Sequence, residues 1–112
     1  MGDRGNIVVQ ESLGKRVYFY THWQGSEVKS IVKKALSREQ RWDDASYLAR
    51  IIFSTLVPQE QWNKETGFGI SASAAMDAHT IIVVDVASQS VWLENTDGNK
   101  IGEATSFSNY II

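Results

Sequence analysis

The chain has 112 residues, 43% of them apolar, with four Trp, four Tyr and four Phe, a size and composition suited to one domain over residues 1–112 around a single packed core. Its formal charge of −2, with acids and bases intermixed, offers no basic field that could follow duplex DNA or RNA over many phosphates. The absence of cysteine excludes disulfides, thiolate catalysis and most structural zinc sites.

No apolar run approaches the roughly 20 residues of a spanning helix, so no membrane partner is expected. No signal-peptide pattern precedes the first strand, which makes a soluble cytoplasmic protein the economical expectation. Met1-Gly2 is not an N-myristoylation signal, because Asn6 stands where that signal needs Ser or Thr.

Asp3-Arg4-Gly5-Asn6 leads into Ile7-Val8-Val9-Gln10, a β-branched run that reads as a first strand, and Ser12-Leu13-Gly14-Lys15 reads as a turn. From Arg16 to His22 the residues alternate: Val17, Phe19 and Thr21 share one face, and Tyr18, Tyr20 and His22 share the other. The two runs form an antiparallel hairpin on this reading. Trp23, Gln24 and Gly25 then turn the chain, and Ser26 is the expected N-cap of a helix carrying Val28, Ile31, Val32, Ala35 and Leu36 at three- and four-residue spacing.

Arg38 to Trp42 is a polar connection. Asp43 or Asp44 caps a second helix through Ala45, Leu48, Ile52 and Leu56, which ends near Pro58 because the residue before a proline avoids helical angles. Arg50 lies among Leu48, Ile51 and Ile52, so it needs a partner or must reach out along its stem. Gln59 to Thr66 is a polar loop anchored by Trp62. Gly67-Phe68-Gly69-Ile70-Ser71 starts a strand, Ser73 to Ala78 connects, and Thr80 to Val86 suits a central strand buried on both faces. Ser90 to Glu94, the hairpin signal Asp97-Gly98 and Lys100 to Glu103 follow, and Phe107, Tyr110, Ile111 and Ile112 read as a last short strand or a packed tail. The order β-β-α-α-β-β-β-β predicts an α+β fold, a mostly antiparallel sheet with two helices packed on one face.

The start Met1-Gly2-Asp3-Arg4-Gly5-Asn6, the segment Tyr20-Thr21-His22-Trp23 with Gly25, Arg41-Trp42-Asp43-Asp44 with Tyr47-Leu48-Ala49-Arg50, Gly67 to Ser71 and Val83-Val84-Asp85 together resemble an uncharacterised family of small proteins from bacteria, notably actinobacteria, and from their phages. The resemblance brings no activity with it. It implies that Arg4, His22, Trp23, Asp43, Tyr47 and Arg50 belong to a family pattern and that a phage setting is to be considered.

The residues themselves point to a ligand site where the aromatic strand end meets the start of the second helix. Tyr18, Tyr20 and Trp23 offer faces on which a flat ligand stacks, and His22 and Asp43 offer polar edges. Arg4, Arg41 and Arg50 offer planar forks for phosphate or carboxylate, and Trp42 and Tyr47 adjoin them. The expected function is a non-catalytic module that binds a small anionic aromatic ligand such as a nucleotide, with no cofactor and no metal. In a phage setting such a module would sequester a host immune nucleotide signal. Two alternatives stand beside it. An exposed aromatic patch would serve a protein-protein interaction or inhibitor module, or a homo-oligomer. A small hydrolase would use His22 with Asp43 or Asp85 as its orienting carboxylate, although no metal-ligand or nucleophile spacing accompanies them. Asp85 breaks an apolar strand, so it either meets an arginine or marks an opening. Gly67-Phe68-Gly69 leads into a strand and reads as a close backbone approach rather than a phosphate loop.

Overall fold

A computed structural model describes residues 3–12, 15–57, 67–73 and 79–112. The Met1-Gly2 start, Leu13-Gly14 of the first turn, the loop from Pro58 to Thr66 with Trp62, and the connection 74–78 with Asp77 lie outside the described residues.

The elements are β1 (Gly5–Ser12), β2 (Lys15–Thr21), α1 (Val28–Leu36), α2 (Ala45–Leu56), β3 (Phe68–Ser71), β4 (Thr80–Asp85), β5 (Ser90–Glu94), β6 (Lys100–Ser106) and α3 (Phe107–Tyr110). The strands form one six-stranded sheet in the order β3-β2-β1-β4-β5-β6. Every neighbouring pair is antiparallel except β1 and β4, which run parallel with Gly5 opposite Thr80 and Gln10 opposite Asp85. The fold is α+β, in the element order read from the sequence. Among the described residues no helix is long and apolar enough to cross a membrane.

Period-two alternation on the central strands separates two faces. Ile7, Val9, Phe19, Ile82 and Val84 meet Val32, Leu36, Leu48, Ile52 and Leu56 of the helices in one buried cluster. Each such side chain stabilises the fold by roughly 1.5–3 kcal/mol relative to exposure. Val8, Ile81 and Val83 form a second, smaller cluster on the other face, flanked by Tyr18 and Trp92 rather than by a helix. The Tyr18/Tyr20/His22 face is therefore the one that α1 and α2 leave open.

Two local expectations change and a third narrows. Ser26 does not cap α1: a 3-10 turn Gly25–Glu27 precedes the helix, whose N-cap Glu27 makes no side-chain bond. Ser26 instead donates its N–H (2.9 Å) and hydroxyl (2.5 Å) to Asp3 Oδ2, tying the chain start to the turn, and these bonds hold the Asp3 carboxyl below its ordinary range. The last segment is not a strand but a packed tail, and it takes the form of the single helical turn α3, capped where Ser106 Oγ accepts from the Asn109 N–H. It is anchored by Phe107, fully buried in an edge contact with Trp42 at 5.5 Å between ring centroids. The strand after the Asp97-Gly98 turn runs on to Ser106 rather than stopping at Glu103. Gly98 sits at φ +84 in that turn, a conformation open to glycine at no steric cost.

Candidate functional site

The hairpin places Arg4, Tyr20 and His22 together at one end of the open face. Tyr20 Oη lies 3.0 Å from His22 Nδ1, and Arg4 Nε donates to the same nitrogen at 3.4 Å. A ring nitrogen that receives an arginine N–H is an acceptor, so Tyr20 donates its hydroxyl proton there and the imidazole proton sits on Nε2. Trp23 stands edge-on to His22 at 5.0 Å and lies flat on Gly67. A Cβ at Gly67 would fall 2.0 Å from the indole, which is why glycine opens this strand and confirms the close-approach reading of Gly67. Beside Tyr20, directly across the strand pair, is Asn6, with 0% of its surface exposed and neither Nδ2 nor Oδ1 hydrogen-bonded.

The opposite end of that face carries a polar network. Arg16 reaches over the Val8/Val83 cluster and grips Glu94 with two nitrogens, at 2.9 and 2.7 Å, while its Nε donates to Gln10 Oε1 at 2.5 Å. Gln10 Nε2 donates in turn to Asp85 Oδ1 at 3.0 Å, and Ser88 donates to Asp85 Oδ2 through both its N–H and its hydroxyl. Asp85 thus meets an arginine only at one remove, through Gln10. The Arg16 guanidinium holds the Glu94 carboxyl below its ordinary range, and Glu94 in turn raises Arg16 further above neutrality. Trp92 closes the network, donating its indole N–H to Glu94 Oε2 at 3.0 Å beneath the ammonium of Lys100.

The helix-start residues lie elsewhere. The first turn of α2 borders Glu11, Lys15 and Arg16 at the turn end of the hairpin, on the helix side of the sheet, away from His22 and across the sheet from it. Trp42, Asp43, Tyr47 and Arg50 therefore do not join Tyr18, Tyr20, His22 and Trp23 in one pocket. Trp42 is structural: its indole N–H donates to Leu36 O at the end of α1 (3.2 Å). Asp44, not Asp43, caps α2, accepting from Tyr47 N and Ser46 Oγ. Neither carboxylate proposed as an orienter reaches His22, since Asp43 is exposed at the α2 start and Asp85 is bound to Gln10 and Ser88.

Tyr47 and Arg50 do line a hollow, at the elbow between α1 and α2. It has a volume of about 390 Å³ and is bordered by Arg38, Gln40, Arg41, Tyr47, Arg50 and Ile51. The Arg41 guanidinium stacks 4.4 Å above the Tyr47 ring, and Arg50 Nη1 donates to Ser54 Oγ at 3.3 Å. No carboxylate is among the described residues that line it. The elbow holds both Glu39 (φ +53) and Arg41 (φ +59) in the left-handed region, which costs of order 1–3 kcal/mol for a residue with a side chain. That backbone strain aims Arg41 at Tyr47.

Sequence reasoning singled out Arg41 with Arg50 but missed Arg38 as their neighbour, and it missed Arg16 as the hub of the open face. The signal for the first was the arginine density of residues 38–50. For Arg16 there was none, because its partner lies 78 positions away. Among the described residues no group of three or more His, Asp or Glu side chains stands close enough to hold a metal ion. No family model, curated protein or solved structure matches the chain.

Proposed function

We propose that the protein is a binding module for a small anion bearing an aromatic ring, of which a nucleotide is the type, and that the ligand enters the elbow hollow. The observation that carries this reading is that Arg38, Arg41 and Arg50 line one hollow around a half-exposed tyrosine, with no carboxylate among the described residues that line it. Three guanidinium groups around one hollow concentrate positive charge there, and an anion would meet them with charge-assisted hydrogen bonds of about 1.5–3 kcal/mol each. The Tyr47 ring adds a stacking face worth about 1–3 kcal/mol per base.

The chemistry of the lining favours holding over turnover. Arginine, glutamine, tyrosine and isoleucine include no group that accepts a proton near neutral pH. The His22 imidazole, with Tyr20 and Arg4 around it, lies across the sheet from Arg38, Arg41 and Arg50.

Thermal unfolding against nucleoside mono-, di- and triphosphates and pyrophosphate tests the reading. A ligand at about 100 times its dissociation constant should stabilise the protein by roughly 2.7 kcal/mol, and Arg50→Ala and Tyr47→Ala should each reduce the shift. No shift with any of these anions, or shifts that survive both substitutions, would overturn it.

A further inference from the structure

A second hollow of about 240 Å³ lies on the other flank of α2, lined by Val17, Phe19, Ala49, Arg50, Phe53 and Ile70, and its exposed lining is apolar throughout. It exists because the helix layer stops short of the sheet edge. Phe19 on β2 pairs with Ile70 on the edge strand β3, and Phe53 of α2 packs on Phe19 at 5.1 Å, but Ile70 itself is 60% exposed. Arg50 borders both hollows. Among the described residues it is thus the one side chain shared by the arginine-lined and apolar walls, with a long apolar stem and a guanidinium that donates to Ser54 one turn further along α2. The elbow hollow alone reaches the lower part of the roughly 300–1,000 Å³ usual for a small-molecule site, the apolar hollow alone falls short of it, and together they stay within it.

Resting on the elbow reading above, we infer that the ligand is an anionic amphiphile. Its charged group sits among Arg38, Arg41 and Arg50, and its apolar part, a ring or short chain, crosses the α2 ridge at Arg50 and seats against Phe19, Phe53 and Ile70. The arginines supply the anchor common to all small phosphates. The apolar hollow supplies the selection among them.

The test is a calorimetric series on the full chain with inorganic phosphate and the methyl, butyl, hexyl and phenyl phosphate monoesters. On the inference, affinity rises along the alkyl series by up to about fourfold per buried methylene. Ile70→Ser should flatten that rise while leaving inorganic phosphate binding unchanged, and Arg50→Ala should weaken every member. A flat series in the unmodified protein, with phosphate still bound, overturns the amphiphile and leaves the anion site standing. A rise that persists in Ile70→Ser overturns the placement of the apolar group. Failure of phosphate and all its esters to bind overturns both readings. Soluble esters and membrane lipids offer the same chemistry, and phosphatidylcholine vesicles doped with phosphatidic acid separate them. Co-sedimentation abolished by both substitutions identifies a lipid as the source, and a graded ester series without co-sedimentation identifies a soluble ligand.

Discussion

Replacing Asn6 with valine should stabilise this protein, although asparagine is what the chain carries. Asn6 sits in the central strand β1 between Tyr20 on β2 and Ile81 on β4. It is wholly buried, and neither atom of its amide has a hydrogen-bond partner. A buried polar group without a partner costs about 1–3 kcal/mol, and the Asn6 amide leaves both a donor and an acceptor in that state. Valine has one fewer heavy atom and a shorter reach, although its methyl groups are bulkier than the amide, and it is β-branched and suited to a strand, so the substitution removes the desolvation penalty of the amide. The expected gain is about 1–3 kcal/mol, which for a domain of this size raises the unfolding midpoint by roughly 5–10 °C. Urea unfolding of both proteins measures it, with an unchanged slope showing that only stability has moved. Asn6→Asp is the counterpart and should be strongly destabilising at neutral pH, since it buries a charge in the same place. A midpoint for Asn6→Val at or below that of the parent, with equal slopes, would refute the reasoning, because it would mean that the amide finds partners in solution.

Glu94→Ala strands Arg16, most of whose side chain is buried, and should cost about 1–3 kcal/mol, less than a fully buried pair because Arg16 retains some contact with water. The same pair sets a pH dependence. The Glu94 carboxyl is lowered in the folded protein, so its contribution is fully present above the ordinary glutamate value and fades as pH falls below it toward the lowered one. Glu94→Gln should therefore flatten the acid limb of the stability profile measured by calorimetry. Gly67→Ala drives a methyl into the Trp23 ring and should destabilise by about 1–3 kcal/mol, with Trp23 forced off the strand and its fluorescence shifted toward that of solvated indole. Glu39→Gly relieves a left-handed residue and should raise stability by up to about 1 kcal/mol, read as a higher denaturant midpoint.

The hairpin, both long helices and the Asp97-Gly98 turn were legible because each is encoded within a few residues. Alternation from Val17 to His22 and the spacing of Val28, Val32, Ala35 and Leu36 are local facts. The split of the expected site was not legible, for a physical reason. Alternation tells that Tyr18, Tyr20 and His22 share a face, but not whether the helices cover that face or the Phe19 face. Here they cover Phe19, and this choice separates Tyr47 and Arg50 from His22. The Arg16 to Glu94 bridge was hidden in the same way, since two residues from β2 and β5 meet only once β1 and β4 are known to lie between them. Asn6 read as part of the lead-in to the first strand, and its burial follows from β1 starting at Gly5 and lying in the middle of the sheet.

The parallel pairing of β1 with β4 has a bearing on how the chain reaches this state. The β1–β2 hairpin is local and can close early, but its inner flank must wait for a partner 75 residues later, as Gln10 waits for Asp85. Until then β1, with its Ile7-Val8-Val9 run, presents open backbone donors and acceptors on that side, which is the condition that invites strand exchange between molecules. Closing so distant a pair also slows folding relative to a helical chain of equal length. A ribosome that has not yet released β4 therefore holds a chain with its centre exposed, and the rate at which residues 80–85 arrive governs how long that hazard lasts.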